Sequence, residues 1–147
     1  MRFLLIALLF LLSACNAEDG PSAEESDLLV TLDAICEAAH RCRDSYAGAT
    51  PFMNVYGNSL AECGSTNEIV ARIAGDAITD ERTRYDADES AACRAHVESV
   101  TCDGLWNGGA VPSCDAMLVG LAPSDTECTF GWECASDRCT ATEALCE

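Results

Sequence analysis

The sequence predicts a mainly α, disulfide-stapled fold: a small bundle of three to four helices followed by a loop-rich cysteine-rich module. Three observations carry this prediction. Apolar residues recur at helical spacing behind capping signals between residues 22 and about 102. Ten cysteines follow Cys15 in a chain of 147 residues, an even number in a length whose core is small enough to need staples. From Cys128 to Cys146, four cysteines fall in nineteen residues with no periodic apolar pattern, the composition of a stapled module rather than of packed helices.

Ser22 to Glu25 reads as a capping box, a serine accepting an amide three residues on while the glutamate reaches back. Behind it Leu28, Leu32, Ile35, Ala39, Cys42 and Tyr46 are spaced 4, 3, 4, 3, 4, one face of a helix. Gly48 and Pro51 stop that helix. Ser59 to Glu62 is a second capping box, expected to open a short turn holding Cys63. Ser65 to Glu68 is a third, with Ile69, Ile73 and Ala77 as the buried stripe of the helix behind it. Asp86 to Glu89 repeats the device with aspartate as cap and opens a helix with Cys93, Val97 and Val100 on one face. Gly104, Gly108, Gly109 and Pro112 read as a loop. The organisation expected is a leader over 1–14, an acidic tether over 15–21, a disulfide-linked helical domain over 22–119 and a cysteine-rich module over 120–147.

The start of the chain has the layout expected of a targeting signal. Arg2 supplies a positive charge, Phe3 to Leu12 are apolar without interruption, and Ser13 and Ala14 are small. A spanning helix needs about 20 apolar residues, so this run is too short for one. Leu12-Ser13-Ala14-Cys15 resembles the lipobox of bacterial lipoproteins. That resemblance implies cleavage before Cys15, a diacylglycerol thioether on its sulfur and a further acyl chain on its amine, since one chain alone anchors only marginally. An ordinary leader, cut near Ala14 or Ala17, is the alternative. Asn16 follows the cysteine where aspartate would favour inner-membrane retention in enteric bacteria, so the expected location is the cell envelope, with outer-membrane delivery.

The ten remaining cysteines are Cys36, Cys42, Cys63, Cys93, Cys102, Cys114, Cys128, Cys134, Cys139 and Cys146. No C-x-x-C pair occurs, which argues for disulfides over zinc. Cys36 and Cys42 are about 9 Å apart along their helix, and Cys93 and Cys102, taken as one helix, about 13 Å. Both exceed the roughly 7 Å that a bridge spans, so the bridges tie different elements together. The pairing preferred among fifteen is Cys42–Cys63, Cys36–Cys102 and Cys93–Cys114. In the tail, Cys128–Cys139 with Cys134–Cys146 is preferred among three, an interleaved pattern common in tiny cysteine-rich modules.

The tail Cys128-x5-Cys134-Ala-Ser-Asp-Arg-Cys139-x6-Cys146 resembles the short cysteine-rich repeats of myxobacterial-type secreted proteins, often likened to the Dickkopf amino-terminal cysteine-rich domain. The larger layout is similar to a class of lipoproteins from the same bacteria: Cys36-x5-Cys42, Tyr56-Gly57 before Cys63, Tyr85-Asp86 before Ala92-Cys93, then Cys102 and Cys114. The resemblance implies an architecture and no particular activity.

The charge excludes several functions. Twenty-five acids face eight arginines and no lysine, a net charge of −17 that becomes −18 when Arg2 leaves with the leader. Nucleic acids and anionic headgroups need a basic surface, so neither is an expected partner of the folded part. No phosphate-cradling loop with lysine and no G-x-S-x-G elbow occurs. His40 lies four residues after Cys36, a spacing that suits a metal edge, but a histidine on a helix flank is the plainer reading. Asp86, Asp88 and Glu89 lack the third ligand of an EF-hand, and capping accounts for them. Trp106 and Trp132 fall in what read as loops and are the candidate contact residues for a protein or glycan partner, the alternative being that each covers a disulfide. The expectation is therefore a non-enzymatic envelope lipoprotein with a binding or structural role and no cofactor. The alternative is an inhibitor-type module acting on a hydrolase, with an enzyme third because no acid–base pair, nucleophile or cofactor site stands out.

Overall fold

A computed structural model describes residues 20–147. The leader and Cys15 lie outside the described residues. The fold is mainly helical, built on three long helices: α1 (Ala23–Arg41), α3 (Leu60–Thr79) and α4 (Ala87–Ser99). Three short ones, α2 (Phe52–Tyr56), α5 (Cys102–Asn107) and α6 (Pro112–Ala116), close the ends. Strands β1 (Thr83–Tyr85) and β2 (Leu118–Gly120) pair antiparallel, with Thr83 opposite Gly120.

Helix α1 begins where the capping signal places it: Ser22 Oγ accepts the Glu25 amide at 3.1 Å. Two acids in its first turn and His40 and Arg41 in its last complement the helix dipole. Its buried face takes in Thr31, Ala34 and Ala38 besides Leu28 and Ala39, wider than one stripe, because helices pack on two sides of it. Helix α3 runs antiparallel along one side, with Asn67 Nδ2 donating to Asp33 at 2.9 Å and Gly75 packed on Glu25. Helix α4 runs parallel along the other, from a Thr31–Ser90 hydroxyl pair at 2.7 Å to Arg41 donating to the Val97 carbonyl at 3.1 Å. Ala34, Ala38, Ala71 and Ala74 line these contacts, small residues that let backbones approach.

The structure corrects the expected helix pattern in three places, the first being that α1 ends at Arg41, short of the Tyr46 that its stripe included. The turn at Ser59 and the helix expected after Ser65 are one helix, α3. Ser59 is its cap, its Oγ accepting the Glu62 amide at 3.2 Å, whereas Ser65 sits inside it and donates its hydroxyl to the Ala61 carbonyl at 3.0 Å. The buried stripe is accordingly Cys63, Ala71, Ala74 and Ala77, and Ile69 is 52% exposed. The glycine-rich stretch expected as a loop is also helical in part. Helix α4 ends at Ser99, then Thr101 caps α5 through the Gly104 amide at 3.1 Å, and Pro112 starts α6.

Five disulfides staple the fold. Cys93–Cys114, Cys128–Cys139 and Cys134–Cys146 form as expected. The other two are exchanged: Cys36 joins Cys63 and Cys42 joins Cys102, in place of Cys42–Cys63 and Cys36–Cys102. The two α1 cysteines lie about 120° apart around the helix. Cys36 faces α3, and Cys42, just past the last turn, faces α5.

The tail packs around its own sulfurs, with Ala122, Cys128, Cys134 and Cys146 buried together. It docks near the amino-terminal end of α1, where Trp132 packs on the cluster of Leu28, Ala71, Ala74 and Met117. Gly120 is needed at this seam, because a Cβ there would meet the Cys134 carbonyl oxygen at 2.1 Å. Among the described residues no helix is long and apolar enough to cross a membrane.

Candidate functional site

Two clusters concentrate side-chain chemistry. The first lies between α1, β1 and α4. Tyr85 donates its hydroxyl to the Asp27 carboxylate. Arg94 donates to Asp27 at 3.3 Å and to Thr31 at 3.0 Å, and Thr31 meets the buried Ser90. Burial and then the Asp27 hydrogen bond push the Tyr85 hydroxyl up to about 12. The phenol therefore remains a donor through the neutral range. Every group in the cluster is engaged by another, so it acts as a polar joint between helices.

The remaining candidates from the sequence are also engaged. His40 Nε2 lies 3.0 Å from the Tyr56 carbonyl and its ring meets the edge of Phe52, while Cys36 is bonded to Cys63, so no metal edge forms between them. Asp86 caps α4, accepting from the Glu89 amide at 3.2 Å and from Arg84 at 3.0 Å. The Arg84 hydrogen bond first, and the Glu89 amide second, hold its carboxyl below the usual range. The sulfurs of Cys128, Cys134 and Cys146 lie within 4.8 Å of one another because two disulfides stack there. In the tail, residues 134–137 form a tight turn, with the Asp137 amide on the Cys134 carbonyl at 2.9 Å and Asp137 at φ 58°. The next carbonyl, Arg138, accepts the Glu147 amide at 3.1 Å.

The second cluster is aromatic and caps the carboxy-terminal end of α1. Pro51 begins α2, whose Phe52 turns inward against His40, Tyr46 and Tyr56. Trp106, carried by α5, meets Tyr46 edge-on at 5.0 Å and Tyr56 at 5.9 Å between ring centres. Its indole N–H donates to the Cys42 carbonyl at 2.9 Å, and the Cys42–Cys102 bridge holds α5 in place beneath it. Arg43 lies over the Phe52 ring at 5.2 Å. Tyr46, Tyr56 and Trp106 are half-buried, and on α2 the side chains of Met53 and Val55 are 50% and 49% exposed.

Charge sets this end apart. The seventeen residues from Ser45 to Ala61 and the eleven from Gly104 to Cys114 contain no Asp, Glu, Lys or Arg. These are the two longest uncharged stretches among the described residues, and the Tyr46–Trp106 contact joins them. The result is an uncharged, partly apolar surface on an otherwise acidic molecule.

The two tryptophans thus have different surroundings. Trp106 lies on a helix, not in a loop, and belongs to the aromatic end. Trp132 lies in the short 3-10 turn Gly131–Glu133, stacks on Phe130 at 5.3 Å and packs against the helical core at the other end of α1. Tyr46, expected on the α1 stripe, lies beyond the end of that helix and joins the aromatic cluster instead. Tyr56, Met53 and Val55 stand beside it without any motif to point to them; the uncharged run that contains them is the signal in the sequence. No protein-family model, curated protein or solved structure matches the chain.

Proposed function

We propose that this chain is a lipid-anchored envelope lipoprotein that acts by binding, with its contact surface at the aromatic end around Trp106. The observation that carries the contact surface is the meeting of two uncharged stretches, with Met53 and Val55 exposed beside half-buried Tyr46, Tyr56 and Trp106. Aromatic and Met residues with few acids are the composition of interface centres. The Cys42–Cys102 bridge holds that surface rigid, which lowers the ordering cost of binding. Anchoring rests on Leu12-Ser13-Ala14-Cys15 and on the resemblance to cysteine-rich lipoproteins, and exported context agrees with five disulfides. Helix α1 is about 28 Å long by its rise, so its aromatic end stands well away from the tether at its start. The inhibitor reading asks for an extended loop with free carbonyls. The 134–138 turn, with Asp137 left-handed and the Arg138 carbonyl engaged, gives it no support. The test is capture of partners from envelope extract by the wild-type chain, Val55→Asp and Trp132→Ala, with melting temperatures in parallel. Loss of capture by Val55→Asp at unchanged stability supports the reading. Equal capture by all three overturns it.

A further inference from the structure

We infer that the partner at the aromatic end is a second copy of this chain, docked through the same surface. This rests on the reading of that end as a contact surface and adds the identity of its occupant. Charge is the first argument. Once Arg2, Glu18 and Asp19 are set aside, residues 20–147 hold seven arginines against 23 acids. Two such bodies repel at almost every mutual orientation. The approach that brings the uncharged stretches 45–61 and 104–114 together keeps most acids of both copies furthest apart.

The rim supplies the second argument. Arg82, Arg84, Arg94 and Arg138 are ion-paired within their own chain. At the aromatic end Arg43 lies over Phe52 instead, and exposed Asp44, Glu62 and Asp103 flank the same surface. A surface bearing Arg43 among Asp44, Glu62 and Asp103 around an uncharged centre is self-complementary under a twofold axis, which sets Arg43 of one copy against an acid of the other. A cationic partner would find more acids anywhere else on the molecule, and an anionic one would meet Asp44 and Asp103. The exposed side chains of Met53 and Val55, on the two flanks of α2 beside inward Phe52 and Tyr56, then lose water on both copies at once.

Energy transfer between donor- and acceptor-labelled full chains, labelled at the carboxy terminus and mixed in detergent with micelles in large excess, measures this directly. The expected result is concentration-dependent transfer that strengthens roughly threefold or more between 0.05 and 0.5 M salt, because screening relieves the repulsion of the acidic bodies. Val55→Asp and Met53→Asp, both at exposed positions, abolish it, whereas Ile69→Asp, an exposed residue on α3, leaves it unchanged; circular dichroism confirms that all three fold. Absence of transfer up to about 100 µM chain overturns self-association while leaving the contact surface open to another occupant. Transfer that survives Val55→Asp and Met53→Asp overturns the assignment of the surface.

Discussion

Arg82 and Glu133 form the ion pair that fastens the cysteine-rich tail to the helices. Glu133 is fully buried, its Oε1 accepting the amides of Thr129 at 2.8 Å and Phe130 at 2.9 Å while Oε2 meets Arg82. One carboxylate thus shapes the turn that carries Trp132 and clamps that turn to the segment between α3 and β1. Removing it leaves two inward amides and an arginine without their acceptor. Glu133→Ala is expected to lower stability by about 3 kcal/mol or more, and Glu133→Gln by less, since the amide oxygen still accepts from Thr129 and Phe130. Urea unfolding under oxidising conditions measures both; equal, small losses would show that the clamp carries little.

Tyr85 gives the fold a dependence on alkaline pH. Its hydroxyl is raised to about 12 in the folded chain against 10.0 when exposed. The folded state keeps this proton where the unfolded state gives it up, so stability is full below pH 10 and falls as pH rises from about 10 to about 12. Allowing for partial solvent screening, the loss is roughly 1 to 2 kcal/mol. Tyr85→Phe should be less stable at pH 7, by about 1 kcal/mol for the lost Asp27 hydrogen bond, and flatter between pH 10 and 12. A variant as steep as wild type in that range would refute the assignment.

The disulfide map is open to direct chemical reading. Proteolysis without reduction should release linked peptides for Cys36–Cys63 and Cys42–Cys102, with none for Cys42–Cys63. The Cys42–Cys102 bridge spans 60 residues and is worth about 4 kcal/mol in the chain-entropy model. The paired replacement Cys42→Ser with Cys102→Ser should therefore destabilise the whole domain and free α5, which carries Trp106.

The sequence made α1 and α4 legible because cap and stripe agreed: Ser22 and Asp86 accept the amides that their patterns assign them. It misled at α3 because Ser65-Thr-Asn-Glu68 satisfies the capping pattern, yet a serine hydroxyl also bonds back to the carbonyl four residues earlier, as Ser65 does to Ala61. The stripe read as Ile69, Ile73 and Ala77 keeps Ala77 but makes Ile69 core, where Ala71 and Ala74 are buried instead. The exchanged bridges follow from a relationship no local pattern contains: the first turn of α3 lies beside the middle of α1, next to Cys36, while α2 and α5 cover its end. In the same way Trp106 reads as a loop residue because three glycines surround it, although Thr101 supplies a cap. The aromatic end is visible in the sequence as the uncharged run 45–61, but its joining to 104–114 depends on a bridge across 60 residues.

Anchoring has its own test. The amino-terminal peptide of the mature protein is expected to begin at Cys15 and to carry the mass of its acyl chains. An unmodified peptide beginning at Asn16 or later would rule out the lipid anchor.

Under the binding proposal, the aromatic end is occupied in the envelope. A photo-crosslinking amino acid placed at Val55 in the full chain, expressed in cells and illuminated, tests it whatever the occupant is. A covalent adduct is expected from position 55 and none above background from position 69, both about half-exposed on the isolated chain. No adduct from position 55, or equal adducts from both positions, would contradict it.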